Sequence, residues 1–294
     1  ISDLFNNIII INSSKNLGYA GGCNLGSKHS TCEYLLFLNN DTEHDYNWIE
    51  PLYNFIKDED NVASVQPKIK SLIDKEQFDY AGACGGYMDI LCYPFTRGRI
   101  FNNIEIDSNQ YNERAQIFWA SGTGFLTKKT IFNTVGGFDS NLFAHMEEID
   151  YHWKCQLLGY QVWCEPKSVI YHSGGQTLSY ESPYKTYLNH RNSLILLLSN
   201  YSVLFSALLF LPRIFLEIIS IIKYLVSLKP SHAFSQVLAL LYVVLRIDIL
   251  IKRKNHINKI RKISDQILLK NIYKRSIVID YFILGKNVFS KINL

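Results

Sequence analysis

The chain predicts an α/β fold, a mostly parallel sheet flanked by helices, followed by a helical region of different character. Three observations predict it. Over the first 170 residues, short apolar runs bounded by Asn alternate with helix-like stretches. A Gly-rich turn stands between the first two of those runs, as in the middle of a βαβ unit. After about Tyr187 the pattern changes, and residues 192–212 form an uncharged run of 21.

In chain order, "NNIIIIN" (6–12) and "YLLFLN" (34–39) read as buried parallel strands, because such strands lack an exposed face and need no polar alternation. Between them "NLGYAGGCNLGSKHS" reads as a glycine loop opening a helix. "WIEPLYNFIKDED" follows as an amphipathic helix and "VASVQPKI" as a strand. A helix is expected from Glu147 to Leu158 with Gly159 as its stop. Ile149, Trp153 and Leu157 would share its core face. "QVWCEPKSVIY" (161–171) alternates well enough for a further strand pair. The domain division expected is 1–190 for the α/β part and 191–294 for the helical part.

Composition bounds the class. With 48% hydrophobic and 14% aromatic residues the chain has ample core, which excludes disorder. The formal charge is only +4, but Lys252 to Arg275 holds nine basic residues against Asp265 alone. That balance suits an anionic surface, phosphate or membrane, and not sequence-reading of nucleic acid. The six cysteines include no CxxC pair and read as reduced, buried thiols.

The uncharged run reaches membrane-spanning length, yet "SNYS" interrupts it and Pro212 is expected to close it. The apolar stretches 214–228 and 233–251 contain Glu217, Lys223, Arg246 and Asp248. Such charges are costly in a spanning helix. Interfacial helices on an anionic leaflet therefore fit better than one span or a soluble helical domain.

Four stretches could carry chemistry. In "NLGYAGGCN" the glycines 18, 21 and 22 permit close approach to a ligand, and the adjoining helix start favours an anion; a tight turn is the plainer reading. "FLNNDTE" delivers Asp41 to a strand's C-terminal edge, where a hard divalent cation could be held, although Asn and Asp also simply end strands. "FAHMEEIDYHW" opens the helix with three acids. Asp150 can pair with Lys154 one turn on, which leaves Glu148 without a neutralising neighbour. In "VIYHSGGQTL", His172 ends a strand beside a glycine loop, as a structural residue or as a metal or phosphate ligand.

Taken in order, these stretches together with "SVQPKI", "DYAGACGGYMD", "YPFTRGRIF", "FWASGTGFLTKKTIF" and "YLNHRNSLILLLSN" resemble family-2 glycosyltransferases of the GT-A fold, in the rhamnosyltransferase-like branch of bacterial polysaccharide biosynthesis. The resemblance runs from about residue 8 to 200. It implies an inverting transferase that moves a sugar, L-rhamnose from dTDP-rhamnose or else a UDP-sugar, to a hydroxyl of a lipid-linked or glycan acceptor. Glu148 would be the base, with Glu147 in reserve. Asp41 would hold Mg²⁺ or Mn²⁺ with His172 beside it, while Asn39 stands where the motif's first Asp is usual. Asn16, Gly18, Gly21, Gly22, Asn24, Asn39 and Asn40 would line the donor site. Trp119, Ser121 and Gly122 would floor the sugar, and Arg97 and Arg99 would contact phosphate or acceptor. The resemblance places the enzyme on the cytoplasmic face of the inner membrane. It also implies that the family's first strand and second βα unit are missing before residue 1. Two other readings compete: a catalytically inert membrane-associated remnant or binding protein, and a metal-dependent nucleotidyl- or phosphotransferase using Asp41.

Overall fold

The computed structural model describes residues 8–174 and 182–294. Helix α1 (Gly18–His29) leads into β1 (Tyr34–Leu38), β2 (Thr42–His44), α2 (Ile49–Lys57) and β3 (Val62–Ser71). A small antiparallel sheet follows, formed in sequence order by β4 (Gly86–Met88), β5 (Pro94–Thr96), β6 (Arg99–Ile100) and β7 (Asn103–Ile104). The chain returns to the main sheet with β8 (Ala115–Ile117) and β9 (Gly124–Lys128). It continues through α3 (Lys129–Thr134), α4 (Glu147–Leu157) and β10 (Gln161–His172).

The main sheet has the order β1-β9-β3-β10-β2, with β8 also on β10. The α/β class is as expected, but the sheet is mixed. Among the described ladders β10–β3 is parallel, while β1–β9, β3–β9, β10–β2 and β10–β8 are antiparallel. The reason is β9, which inserts between β1 and β3 and runs against both. The pair of strands expected at 161–171 is one long strand, whose register slips between Glu165 and Val169. At Glu165-Pro166-Lys167-Ser168 proline has no N–H for the ladder, and a bulge absorbs the mismatch.

Residues 8–13 form no strand. Ile8, Ile9 and Ile10 are exposed, because an apolar run becomes a strand only where a neighbour completes its hydrogen bonds. Residues 6 and 7 of that expected strand lie outside the described residues.

Helix α2 covers one face of the sheet. Leu52 and Ile56 are fully buried against Val65, Ile69, Leu126 and Ile170, and each such side chain contributes about 1.5–3 kcal/mol. On another face, Phe37, Phe125, Phe132, Phe138 and Tyr151 interlock, with ring centroids 5.0–5.2 Å apart in the Phe37 pairs. Helix α4 begins at Glu147 as read from the sequence, and Gly159 at φ +94° follows its end. Its Ile149, Trp153 and Leu157 are buried.

Helices α5 (Pro183–Asn200), α6 (Val203–Val226), α7 (Pro230–Leu245) and α8 (Ile247–Ile260) complete the main architecture. The boundary expected at 190 falls inside α5, whose residues Leu194 to Leu197 pack with α4 in one core. After α8 the chain returns to the small sheet. There Asp89 accepts from the Ile277 N–H at 2.9 Å, and Glu105 accepts from the Phe289 N–H at 2.9 Å.

Pro212 does not close a helix; α6 runs through it. Of the charges that argued against a span, Glu217 is turned inward, whereas Lys223, Arg246 and Asp248 are exposed. Glu217 lies between Arg213 (2.7 Å), His190 (2.7 Å) and Gln236, and Arg213 also donates to Ser193 Oγ at 2.6 Å. Polar groups thus face α5 and α7, while Leu204, Leu208, Leu211, Phe215, Ile222 and Leu225 remain exposed. By length and composition α6 can cross a membrane, with a mean hydropathy of 2.0.

The basic segment is also partly internal. Arg253, Lys254 and Arg261 spend donors on Asp150, on the Tyr201 carbonyl and on Asp265 respectively, whereas Lys252, Lys259, Lys262, Lys270 and Lys274 are exposed. Among the cysteines Cys84, Cys92, Cys155 and Cys164 are buried as expected, but Cys32 is exposed.

Candidate active site

Two groups of acids flank the segment 119–123. The first stands where β1 ends. The Asn39 N–H donates to the Thr123 carbonyl at 2.9 Å, and the Thr42 hydroxyl turns back to the Asn39 carbonyl at 2.8 Å. This tight turn sets Asp41 beside the last residue of β10. His172 Nε2 lies 3.3 Å from Asp41 Oδ1 and 3.5 Å from Asn39 Nδ2. Its other ring nitrogen, Nδ1, lies 3.0 Å from Asp79 Oδ1. Burial alone would lower the His172 pKa, but hydrogen bonding and charge from Asp79, then Asp41, raise it above its ordinary value. Asn40 is exposed beside the turn.

Asp79 matters because it fixes the ring. With Nδ1–H given to Asp79, the Nε2 lone pair points at Asp41, so two acceptors face each other unless a proton or a cation lies between them. Among the described residues no three His, Cys, Asp or Glu form a complete metal cage. Asp41 and His172 provide two donors, a number that fits a divalent ion whose shell is completed by water and substrate phosphate oxygens.

The second group heads α4. Phe143, His145 and Met146 have φ of 64°, 66° and 72°, a left-handed backbone that non-glycine residues rarely adopt. The strained loop is held from α5. The buried Asn192 amide donates to the carbonyls of Leu142 (3.0 Å), Ala144 (3.0 Å) and His145 (2.6 Å), and Arg191 donates to those of Asn141 and Leu142. From the other side the Ala20 N–H reaches the Phe143 carbonyl at 3.3 Å. Gly18, at φ +66°, allows that approach; a Cβ there would stand 2.3 Å from the same oxygen.

Glu147 and Glu148 each keep a buried Oε2 without a hydrogen-bond partner. Burial pushes the Glu148 carboxyl up to about 7. Burial, then the neighbouring Glu148 charge, also pushes the Glu147 carboxyl well above its ordinary value. Burial thus favours the protonated form of both carboxyls, which titrate as a pair. Asp150 behaves oppositely. Burial would raise it, but Arg253 at 2.6 Å and Lys154 at 2.6 Å outweigh burial and hold it well below the carboxylate range. The pairing with Lys154 is the one read from the sequence.

Tyr19 joins the two groups. Its hydroxyl donates to the Gly122 carbonyl at 2.7 Å, and its pKa is raised by burial, then by Cys23 and by the charges of Glu147 and Glu148. The glycine turn differs from the expected loop in that α1 already begins at Gly18, which places Gly21 and Gly22 inside the helix. Asn16 Oδ1 accepts from the Gly18 N–H at 2.9 Å, and Gly22 opens on free space. A depression of about 330 Å³ gathers Lys15, Asn16, Gly18, Gly22 and Gly26; neither Asp41 nor Glu148 lines it.

Several expected ligand contacts are placed elsewhere. Asn24 pairs both ways with the Phe138 backbone, at 2.7 and 3.0 Å, so its amide is committed to the loop before α4. The Trp119 ring packs in the core over Gly86 and donates to the Tyr87 carbonyl at 2.8 Å, so it floors no open site. Ser121 is buried and bonded to Ala81 and Gln66. Arg97 spends its guanidinium on the Cys84 and Glu113 carbonyls, at 3.0 and 3.3 Å, which makes it a pin of the small sheet and not a phosphate contact. Arg99 differs, because its Nε is buried without a partner.

Sequence reasoning missed Asp79, Tyr19, Arg191 and Asn192. Asp79 and Tyr19 lie within stretches that carried the resemblance, but neither had a local signal of its role. Asn192 opens the uncharged run, where a buried amide with three acceptors could have been asked for.

The family model for glycosyl transferase family 2 matches residues 1–136. The low-salt glycan biosynthesis hexosyltransferase Agl10 of Haloferax volcanii is 24% identical over 191 residues, covering 62% of this chain. The chain spans 57% of the length of that relative. Among solved structures, GalNAc-T7 with UDP, GalNAc and Mn²⁺ aligns with a TM-score of 0.46 at 15% identity, over 64% of this chain and 35% of that one. The mannosyltransferase PcManGT of Pyrobaculum calidifontis, in complex with GDP-Man and Mn²⁺, aligns with a TM-score of 0.40 at 11% identity, over 80% of this chain and 69% of that one. On the family match, residues 1–136 are similar to family-2 glycosyl transferases, and they belong to an α/β fold with a mixed sheet flanked by helices.

Proposed function

We propose that the protein transfers a sugar from a nucleoside diphosphate to an acceptor hydroxyl with inversion, Glu148 acting as the base. One observation carries this reading. A carboxyl that burial pushes up to about 7, with one buried oxygen lacking a hydrogen-bond partner, stands at the start of α4. A base must be able both to take and to release its proton near working pH, a condition that Glu148 meets.

Asp41 and His172 would hold Mg²⁺ or Mn²⁺, which when bound neutralises charge growing on the departing diphosphate. Asp79 orients His172 for that role, and the Asn192 clamp holds the Glu148 loop against its own strain. Asn16, Gly18 and Gly22 border the depression that suits the rest of the nucleotide. The resemblance to the rhamnosyltransferase-like branch supports dTDP-rhamnose as donor and a lipid-linked or polysaccharide acceptor. The exposed apolar face of α6, with exposed lysines on α8, supports work at a membrane surface, on the cytoplasmic side where nucleotide sugars are made.

The test is product identity. Purified protein is given dTDP-rhamnose or UDP-sugars with Mn²⁺, and the phosphorus products are resolved by chromatography. Release of free nucleoside diphosphate, lost on chelation, is expected. Pyrophosphate or inorganic phosphate instead would replace this reading with a nucleotidyl- or phosphotransferase. No turnover of any donor would leave the inert remnant.

A further inference from the structure

Away from the two acid groups, the core holds two sulfurs in contact. Cys84 Sγ and Cys164 Sγ lie 3.7 Å apart, although 80 residues separate them in sequence. Both side chains are fully buried. Cys164 belongs to β10, and Cys84 to the segment that leads from Asp79 into β4. The backbones are close as well as the sulfurs. A Cβ placed on Gly85 would stand 3.5 Å from Cys164 Cβ, so the chain beside Cys84 passes directly against β10. With backbones this near, closing the gap to a bond of about 2 Å asks for side-chain rotation and small shifts of the 79–85 segment.

The two thiols are not equivalent. Arg97 Nη2 donates to Cys84 Sγ at 3.4 Å, and Arg97 Nε donates to the Cys84 carbonyl at 3.0 Å. A hydrogen bond from Cys164, with the charges of Arg97 and Lys68, brings the Cys84 thiol down to about 7 in spite of burial. Burial, then Cys84, pushes Cys164 well above the thiol range. A thiolate beside a thiol lets one sulfur attack an oxidant and the other complete the bond. The other buried thiols differ. Burial raises both Cys92 and Cys155, and Cys84–Cys164 is the one thiol pair in contact among the described residues.

We propose that Cys84 and Cys164 are a redox-sensitive modification site, at which a peroxide joins the two sulfurs in a disulfide. Burial keeps bulky oxidants out, whereas hydrogen peroxide is close to water in size and enters on local opening. The Cys84 thiolate attacks one peroxide oxygen, the O–O bond breaks and hydroxide leaves, which gives a sulfenic acid. The Cys164 sulfur then attacks the Cys84 sulfur. An S–S bond forms, the S–O bond breaks, and the hydroxyl leaves as water with the Cys164 proton. The pair loses two electrons and the peroxide gains two; the proton first lost by Cys84 turns the hydroxide into a second water. The bond ties the segment that carries Asp79 to the strand that carries His172, eight residues after Cys164. That segment is already held by Ser121, which donates to the Ala81 carbonyl, and by Gln66, 3.5 Å from the Gly82 and Ala83 carbonyls.

The experiment treats the folded full chain with hydrogen peroxide, alkylates it in denaturant and maps its peptides without reduction. A linked Cys84–Cys164 peptide is expected, lighter by two hydrogen atoms than its reduced parts and reverted by dithiothreitol. Cys92 and Cys155 are expected to be recovered alkylated. Cys164→Ala is expected to lose the linked peptide and to leave a sulfenic acid on Cys84 that dimedone traps. Cys84→Ala is expected to leave Cys164 unmodified. No linked peptide in the folded protein, or one that forms only in urea, overturns the site. A dimedone adduct on Cys164 in Cys84→Ala, with none on Cys84 in Cys164→Ala, overturns the order of attack. The wild-type map decides the matter by itself if a cavity in the core keeps either variant from folding. No sugar donor enters these measurements, so their failure and that of the transfer reading are told apart.

Discussion

If Glu148 is the base, the rate must follow its ionisation, and burial has placed that ionisation near pH 7 where an ordinary glutamate has 4.5. The difference is large in an assay. With an apparent pKa near 7 the deprotonated fraction is about 1% at pH 5 and about 90% at pH 8, a rise of about 90-fold. With an ordinary carboxylate the same interval changes the rate by only about 1.3-fold. The measurement is kcat at saturating donor, metal and acceptor from pH 5 to 8, with donor affinity measured separately at each pH so that titration around His172 does not enter. Glu148→Gln is expected to lower kcat by about 10²–10⁴-fold while donor affinity changes by less than about threefold. A profile flat between pH 5 and 8, or a Glu148→Gln enzyme within tenfold of wild type, would refute the assignment. If Glu147→Gln instead abolished turnover while Glu148→Gln did not, the roles would be exchanged.

Asp79→Asn removes the carboxylate that orients His172, so Mn²⁺-dependent nucleotide binding is expected to weaken by about 10–100-fold, read by titration calorimetry. Asn192→Ala removes the side-chain donor from the Ala144 and His145 carbonyls and leaves that of Leu142 to Arg191; a lower kcat with donor affinity retained is expected, and an unchanged kcat would remove Asn192 from the support of the site. Arg253→Met leaves Asp139 and Asp150 without their shared partner and is expected to cost about 3–5 kcal/mol in urea unfolding. The same ion pairs give a sign for acid: the folded pKa of Asp150 is depressed, so its stabilisation is full above about pH 4 and is lost as pH falls toward the lowered folded value. Leu211→Glu with Phe215→Glu places charge on the exposed face of α6 and is expected to reduce co-sedimentation with anionic vesicles; equal sedimentation would argue against that face as the membrane contact.

Much of the site was legible because its parts are local. Asp41 follows a five-residue apolar strand, His172 ends another, and Glu148 opens a helix whose apolar spacing and terminal glycine mark both limits. Strand ends and helix starts are where side chains emerge toward a ligand, so these residues could be named from a single sequence. Residue type alone misled for Arg97, Asn24 and Trp119, because a donor bound inside the fold and a donor offered to a ligand have the same local sequence.

By itself, then, the sequence determined the α/β class, most element limits and the apolar character of the last hundred residues. These depend on periodicity and on neighbours within one or two turns. Only the tertiary structure decided that the sheet is mixed, that residues 8–13 form no strand, and that Arg213 and Glu217 of α6 and Arg253 of α8 turn inward onto α5 and α4. Likewise only long-range contacts showed how completely Asp150 is neutralised. Three acids stand within four positions, and Arg253, which lies 103 residues from Asp150, joins Lys154 in neutralising it, while burial raises both glutamates.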